Sequence, residues 1–418
     1  MRNLLHFTTA ISLLIFPSSI LVLYAVDGFV VGLSVLIGIA CFFLDVRQGV
    51  KLSTEEKIFF LSVSPLFFTA VLTSYVTQSD LARGDRFLSF VLIIPIYLLF
   101  RRVGQQSAMT WLGVTAGAFI ALAVGIYQVF GPDSLPRATG VVHPIIFGDL
   151  SLMMGMLSLA GIMWFLSLGK WALVIPVIGL VCGLLASALS LSRGGWIAIP
   201  VIMLVYTLFF SNYLSIKKLG IAASLILLAL SAIYFAPQTE VQKRLDSTLV
   251  NLQRYMKSEN VNDSARSTSI GSRFEMWRSA WSMYLDNPVL GGGWGEFKKY
   301  TRELIKQGKV NKNAGRYYHA HNEYLSVMAK GGTVNLVSFL MLLLVPAFLF
   351  IRKVKSPSNE AASSFVLGGL VLIAGFASFA LSEAIFERSR PVIFFAFYLA
   401  VFMAGALRDT KVWAKVTS

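Results

Sequence analysis

Residues 171–212 read WALVIPVIGLVCGLLASALSLSRGGWIAIPVIMLVYTLFFSN, and the reading of this stretch decides the fold. The apolar runs 171–191 and 195–212 are each long enough to cross a hydrocarbon layer of roughly 30 Å as a helix, and Arg193 is the one charged residue between them. Two spanning helices joined by a tight polar turn follow. Apolar stretches of similar character recur outward from this pair at 8–26, 28–44, 58–77, 87–100, 109–131, 146–168, 219–236, 331–351, 364–385 and 391–407. An all-α polytopic membrane protein of about twelve transmembrane helices is therefore expected. No small-x-small cleavage motif follows the first run, which is read as an uncleaved helix.

Composition agrees. Hydrophobic residues make up 56% of the 418 and charged residues only 14%, with a mean hydropathy of +0.70, which is a membrane composition. Cys41 and Cys182 are the only cysteines and both lie in apolar runs, so neither a disulfide framework nor a cysteine-based metal site is available. The net charge of +15 would suit a nucleic-acid binder if it were clustered, but its distribution fits topology instead. Arg2, Arg47, Lys51, Lys57, Arg101, Arg102, Lys170, Lys217, Lys218, Arg352, Lys353, Lys355, Arg408, Lys411 and Lys415 fall on one set of connections and the two termini. The short loops on the other side hold Arg83, Arg86, Arg137, Arg193, Arg388 and Arg390 and no lysine. Positive charge concentrates on cytoplasmic loops, so both termini are expected in the cytoplasm and no nucleic-acid partner is expected.

One connection breaks the pattern of short loops. The expected division is 1–236 with helices one to nine, 237–330 as a large outer loop, and 331–418 with three more helices and a tail. Within the loop, Val241, Leu245, Leu249 and Leu252 recur at helical spacing, and 258–272 reads as a polar, flexible Ser/Asn-rich connector. In 273–285 (RFEMWRSAWSMYL) a helical wheel places Phe274, Trp277, Trp281, Tyr284 and Leu285 on one arc between Arg273 and Arg278, as in a helix lying at a membrane interface.

Three features carry chemistry. Arg193 sits before a helix whose N-terminal amides and dipole favour an anion, and Gly194 and Gly195 permit close approach; a snorkelling interface arginine is the plainer alternative. Arg273 and Arg278 precede Pro288-x-x-Gly291-x-Gly293-x-Gly295. That glycine run is neither a Walker loop nor a dinucleotide fingerprint, so a simple helix-to-turn connection competes with a phosphate-binding role. Of the two arginines, Arg273 is the preferred anion ligand.

The third feature is YYHAHNEYL, where His319 and His321 lie just before a membrane helix. A neutral imidazole accepts a proton near pH 7, so His321 is a candidate general base. His-x-His also occurs in zinc sites, but the sequence places no further ligand beside it. His319, two positions away, would lie about 200° around a helix from His321. Of lower rank are Arg83, Arg86, His143, Asp149 within a helix, Glu383, Glu387, Arg388 and Arg390; the two glutamates are read as groups that pair with and orient arginines.

SRGGW before a helix, R-x-x-x-W-x-x-A followed by P-x-x-G-x-G-x-G, HNEYL after the loop, and a large loop between the ninth and tenth helices together resemble the O-antigen ligase and polymerase superfamily. The specific resemblance covers about residues 185–335. It implies a GT-C-like fold and a ligase that transfers a glycan from undecaprenyl diphosphate to the lipid A–core oligosaccharide, at the periplasmic face of a bacterial inner membrane. The family's paired arginines fall on Arg193 and Arg273, which would bind the donor diphosphate, and its histidine falls on His321. Gly194, Arg278, Asn322, Arg83, Arg86, Glu383 and Glu387 would support them, and His319, outside the pattern, is assigned no catalytic role. No cofactor is expected, and without an Asp-x-Asp motif the transfer is read as metal-independent and inverting. Expected partners are the lipid-linked O-antigen, the lipid A–core acceptor and membrane lipid. An O-antigen polymerase of the same superfamily is the alternative, as is a twelve-helix transporter or flippase of lipid-linked sugars.

Overall fold

The computed structural model describes residues 2–80, 85–211, 250–258, 260–354 and 360–408, and every regular element among them is helical. In chain order the α-helices are α1 (Arg2–Ser19), α2 (Val26–Arg47), α3 (Thr54–Val63), α4 (Pro65–Val76), α5 (Leu88–Val91), α6 (Ile93–Val103), α7 (Ser107–Phe130), α8 (Pro144–Ala160), α9 (Ile162–Leu168), α10 (Val174–Leu189) and α11 (Ala198–Phe210). After a helical stretch at 250–257 come α12 (Ser269–Asp286), α13 (Phe297–Lys306), α14 (Glu323–Val354), α15 (Glu360–Phe379) and α16 (Ser389–Leu407). Among the described residues eight helical segments are long and apolar enough to cross a membrane, or nine when the bent pair α8–α9 counts as one span.

The chain is thus a multi-pass membrane protein, and three of the expected spans differ for identifiable reasons. The first helix ends at Ser19 instead of running to residue 26. Arg390 holds the turn that follows: its guanidinium donates to the Ile20 and Leu23 carbonyls at 2.7 and 2.9 Å and lies 3.6 Å from Asp27. A cation on carbonyls left open at a helix end is a favourable terminator. The expected span 87–100 is broken into α5 and α6, because Pro95 lacks the amide that would bond the Val91 carbonyl. The span 146–168 bends by 45° at Gly161, where an added Cβ would meet the Trp111 ring at 2.7 Å. The expected ninth span, 219–236, lies outside the described residues.

The chain divides into two compact units, one of residues 1–68, 85–205 and 338–418 and the other of 69–84 and 206–337. In the first, α7, α8 and α10 pack on one another, α1 lies on α7, α2 on α6, and α15 on α16. Small residues set the approach: a Cβ on Gly183 would sit 2.5 Å from the Ser151 carbonyl oxygen, and one on Gly113 would sit 2.1 Å from that of Leu13. Lipid is as apolar as a protein core, so helices associate in a membrane through such close packing. A fully buried aromatic cluster of Phe376, Phe386, Phe394, Phe395 and Tyr398 fills the space between α15 and α16.

In the second unit, Met276, Ala280 and Met283 of α12 form a core with Phe297, Leu304, Val310 and Ala314. The aromatic arc expected on α12 is therefore split. Trp277 packs against this core, while Trp281 and Leu285 are 51% and 59% exposed. Within the expected connector 258–272, residues 260–272 are also not a loose stretch. Asp263 caps a 3-10 turn at Ser264–Ser267, and Arg266 is buried, donating to the Ser258 carbonyl at 2.8 Å and to Glu275 at 3.2 Å. An internal arginine–carboxylate pair orders what composition alone marks as a linker.

Candidate active site

Arg273 is carried by a helix whose position is over-determined. Thr268 caps α12 through its hydroxyl, which accepts from the Gly271 amide at 3.0 Å. Two residues beyond Arg273, the fully buried Glu275 accepts from the Tyr255 hydroxyl at 2.8 Å, from Arg266 at 3.2 Å and from the Asn311 amide at 2.7 Å. A buried carboxylate is tolerable only when paired and bonded in this way. Arg278, expected as a supporting residue, is half exposed and lies 3.7 Å from the same Glu275. Burial, with the Glu275 hydrogen bond as the next cause, pushes the Tyr255 hydroxyl above its usual range.

The histidines belong to a turn that is not helical, so the 200° separation expected for a helix does not apply. Their rings are 4.5 Å apart and at 69°, and the His321 amide donates to Nδ1 of His319 at 3.3 Å. His321 has φ +48, an uncommon conformation for a residue with a Cβ. Asn322 acts as a helix cap, its side-chain oxygen accepting from the Leu325 amide at 3.0 Å. His321 thus immediately precedes the capped N-terminus of α14.

The glycine run is a docking turn. Gly291, Gly293 and Gly295 all have positive φ, and the Gly292 and Gly293 amides donate to the Ala329 and Lys330 carbonyls, each at 2.9 Å. The Trp294 amide donates to Ser79 Oγ at 3.1 Å. α14 breaks locally at Gly332 (φ +65), where a Cβ would lie 2.2 Å from the Val289 carbonyl oxygen. The amides that would cradle a phosphate are used to seat this turn on the helix kink. Lys330 at that kink is 2% exposed, with Nζ 5.7 Å from the centre of the Phe297 ring. The sequence reading missed it because it placed Lys330 at the end of the outer loop, one residue before the span expected at 331–351.

In the first unit, Arg193 opens a 3-10 turn, Arg193–Ile197, that leads into α11. Arg193 is half-buried and Gly194 exposed. A Cβ on Gly194 would meet the Ser382 hydroxyl at 3.1 Å, and one on Gly195 would lie 2.0 Å from Asp149 Oδ1. The Asp149 carboxyl therefore takes up the space that Gly195 leaves open; it is 1% exposed, and neither of its oxygens has a hydrogen-bond partner among the described residues. Glu383 is 2% exposed. Arg86 donates to the Glu387 backbone carbonyl. Arg83 lies outside the described residues.

Residues 178–340 match the family described as O-antigen ligase, and Arg193, Arg273 and His321 all lie within the matched segment. The chain is also similar to a protein of Haemophilus influenzae described as uncharacterized, 22% identical over 393 residues that cover 94% of this chain and 97% of the relative.

Proposed function

We propose that the protein is an O-antigen ligase of a bacterial inner membrane, working at the periplasmic face with both termini in the cytoplasm. The observation that carries this reading is that the matched segment, 178–340, holds all three residues the chemistry needs. Arg193 and Arg273 bind the diphosphate of an undecaprenyl diphosphate-linked glycan, where bidentate guanidinium contacts stabilise charge as it develops on the leaving group. His321 takes the proton of an acceptor hydroxyl on the lipid A–core saccharide. The hydroxyl oxygen bonds to the anomeric carbon as the bond from that carbon to the diphosphate oxygen breaks, so the centre inverts and undecaprenyl diphosphate leaves. The charge stabilisation comes from side chains, and transfer should persist in excess EDTA.

A strain lacking the gene tests the reading. Core-only lipopolysaccharide with accumulated lipid-linked polymer supports ligation, whereas core bearing a single repeat identifies a polymerase. Movement of labelled lipid-linked glycan without covalent attachment to an acceptor, in vesicles of the purified protein, would make it a carrier.

A further inference from the structure

The turn that carries His321 is pinned at successive residues by groups with no assigned role. The Ala320 amide donates to Ser326 Oγ at 3.1 Å, the Ala320 carbonyl accepts from Trp277 Nε1 at 3.0 Å, and the His321 amide donates to His319 Nδ1 at 3.3 Å. Tyr317 lies edge-on to the His321 ring with centroids 5.2 Å apart. Trp277 is one helical turn from Arg273 on α12, so the two share a face. These bonds surround a residue in a left-handed backbone conformation, which persists in a non-glycine residue only when its surroundings hold it there.

We propose that His319 is a positioning residue for His321, its Nδ1 selecting the left-handed backbone that aims the imidazole, and that Trp277 ties this turn to the helix bearing Arg273. The inference rests on the functional reading above. If the His321 amide loses its acceptor, φ is free to relax to negative values, and the Cα–Cβ bond and the ring it carries swing to a new direction. Acceptance at Nδ1 places the ring proton of neutral His319 on Nε2. His319 is 8% exposed, so water is a poor substitute for the lost acceptor in a truncated variant. Asparagine carries an acceptor oxygen at nearly the position of Nδ1 and can replace it.

The test is transfer by the full-length reconstituted protein, with undecaprenyl diphosphate-linked glycan as donor and core-only lipopolysaccharide as acceptor. Rates and donor KM are measured for His319→Ala, His319→Asn, Trp277→Phe and His321→Ala. His319→Ala should lower kcat on the order of 10–100-fold, the scale of a misplaced catalytic group, with donor KM nearly unchanged. His319→Asn should restore most of the rate. Trp277→Phe, which removes only the N–H donor and keeps an aromatic ring, should repeat the kcat loss without the KM change. Wild-type kcat in His319→Ala would overturn the proposal. So would a His319→Asn variant that melts like wild type but is as slow as His319→Ala, since the ring itself would then take part in the chemistry. His321→Ala separates the layers: if it stays active the functional reading fails, whereas if it is dead and His319→Ala is unaffected only the positioning role fails.

Discussion

Arg101 and Asp45 meet at 2.5 Å with both side chains 4% exposed. The same guanidinium reaches Glu56 at 2.9 Å, Tyr97 donates to that glutamate at 2.8 Å, and Arg102 pairs with the other oxygen of Asp45. This network ties the end of α2 and the start of α3 to α6. Asp45→Asn should leave Arg101 buried with one charged partner fewer, a loss of about 3–5 kcal/mol, read as an earlier thermal transition in detergent. A shift of under a degree would mean that solvent already screens the network.

Gly195 and Asp149 form a second coupled pair. Gly195→Ala places a methyl 2.0 Å from Asp149 Oδ1, and overpacking of this kind costs about 1–3 kcal/mol. Asp149→Ala removes the obstructing carboxyl, so the double variant should recover much of what Gly195→Ala loses. Strictly additive destabilisation in the double-mutant cycle would show that the turn carrying Arg193 does not rest on Asp149.

Arg193→Ala and Arg273→Ala should each abolish glycan transfer while the protein still inserts. Each removes charge-assisted contacts worth about 1.5–3 kcal/mol in an ordinary site, and more where water is excluded. Lysine should rescue only partly, because it lacks the planar fork. A donor-binding assay in the same variants is the check, and near-normal binding and turnover would reduce both residues to interface anchors.

Tyr255 gives the loop an alkaline limit. Its pKa is raised by burial first and then by the bond to Glu275, so the folded chain keeps the proton after the unfolded chain begins to lose it near pH 10. The stability this proton contributes is complete below that point and declines as pH rises through the raised value. Above pH 10 the melting temperature of wild type should fall more steeply than that of Tyr255→Phe. Parallel curves would mean that the hydroxyl titrates alike in both states.

The single sequence determined the membrane class and most of the helices, because a span is a local property: some twenty consecutive apolar residues meet the bilayer's demand wherever they occur. It also placed Arg193, Arg273 and His321 in motifs whose order points to the O-antigen ligase family. What depends on partners distant in the chain was settled only by the tertiary structure. Arg390 ends the first helix through Ile20 and Leu23, and Arg266 orders an apparently flexible stretch through Glu275. The amides of the glycine run are spent on the kink of α14, and His319, two residues from His321 but outside any motif, becomes its backbone partner only because the turn between them is not helical. Composition and periodicity record what each segment prefers by itself; which buried donor finds which acceptor is fixed by packing, where leaving either one unmatched carries the larger penalty.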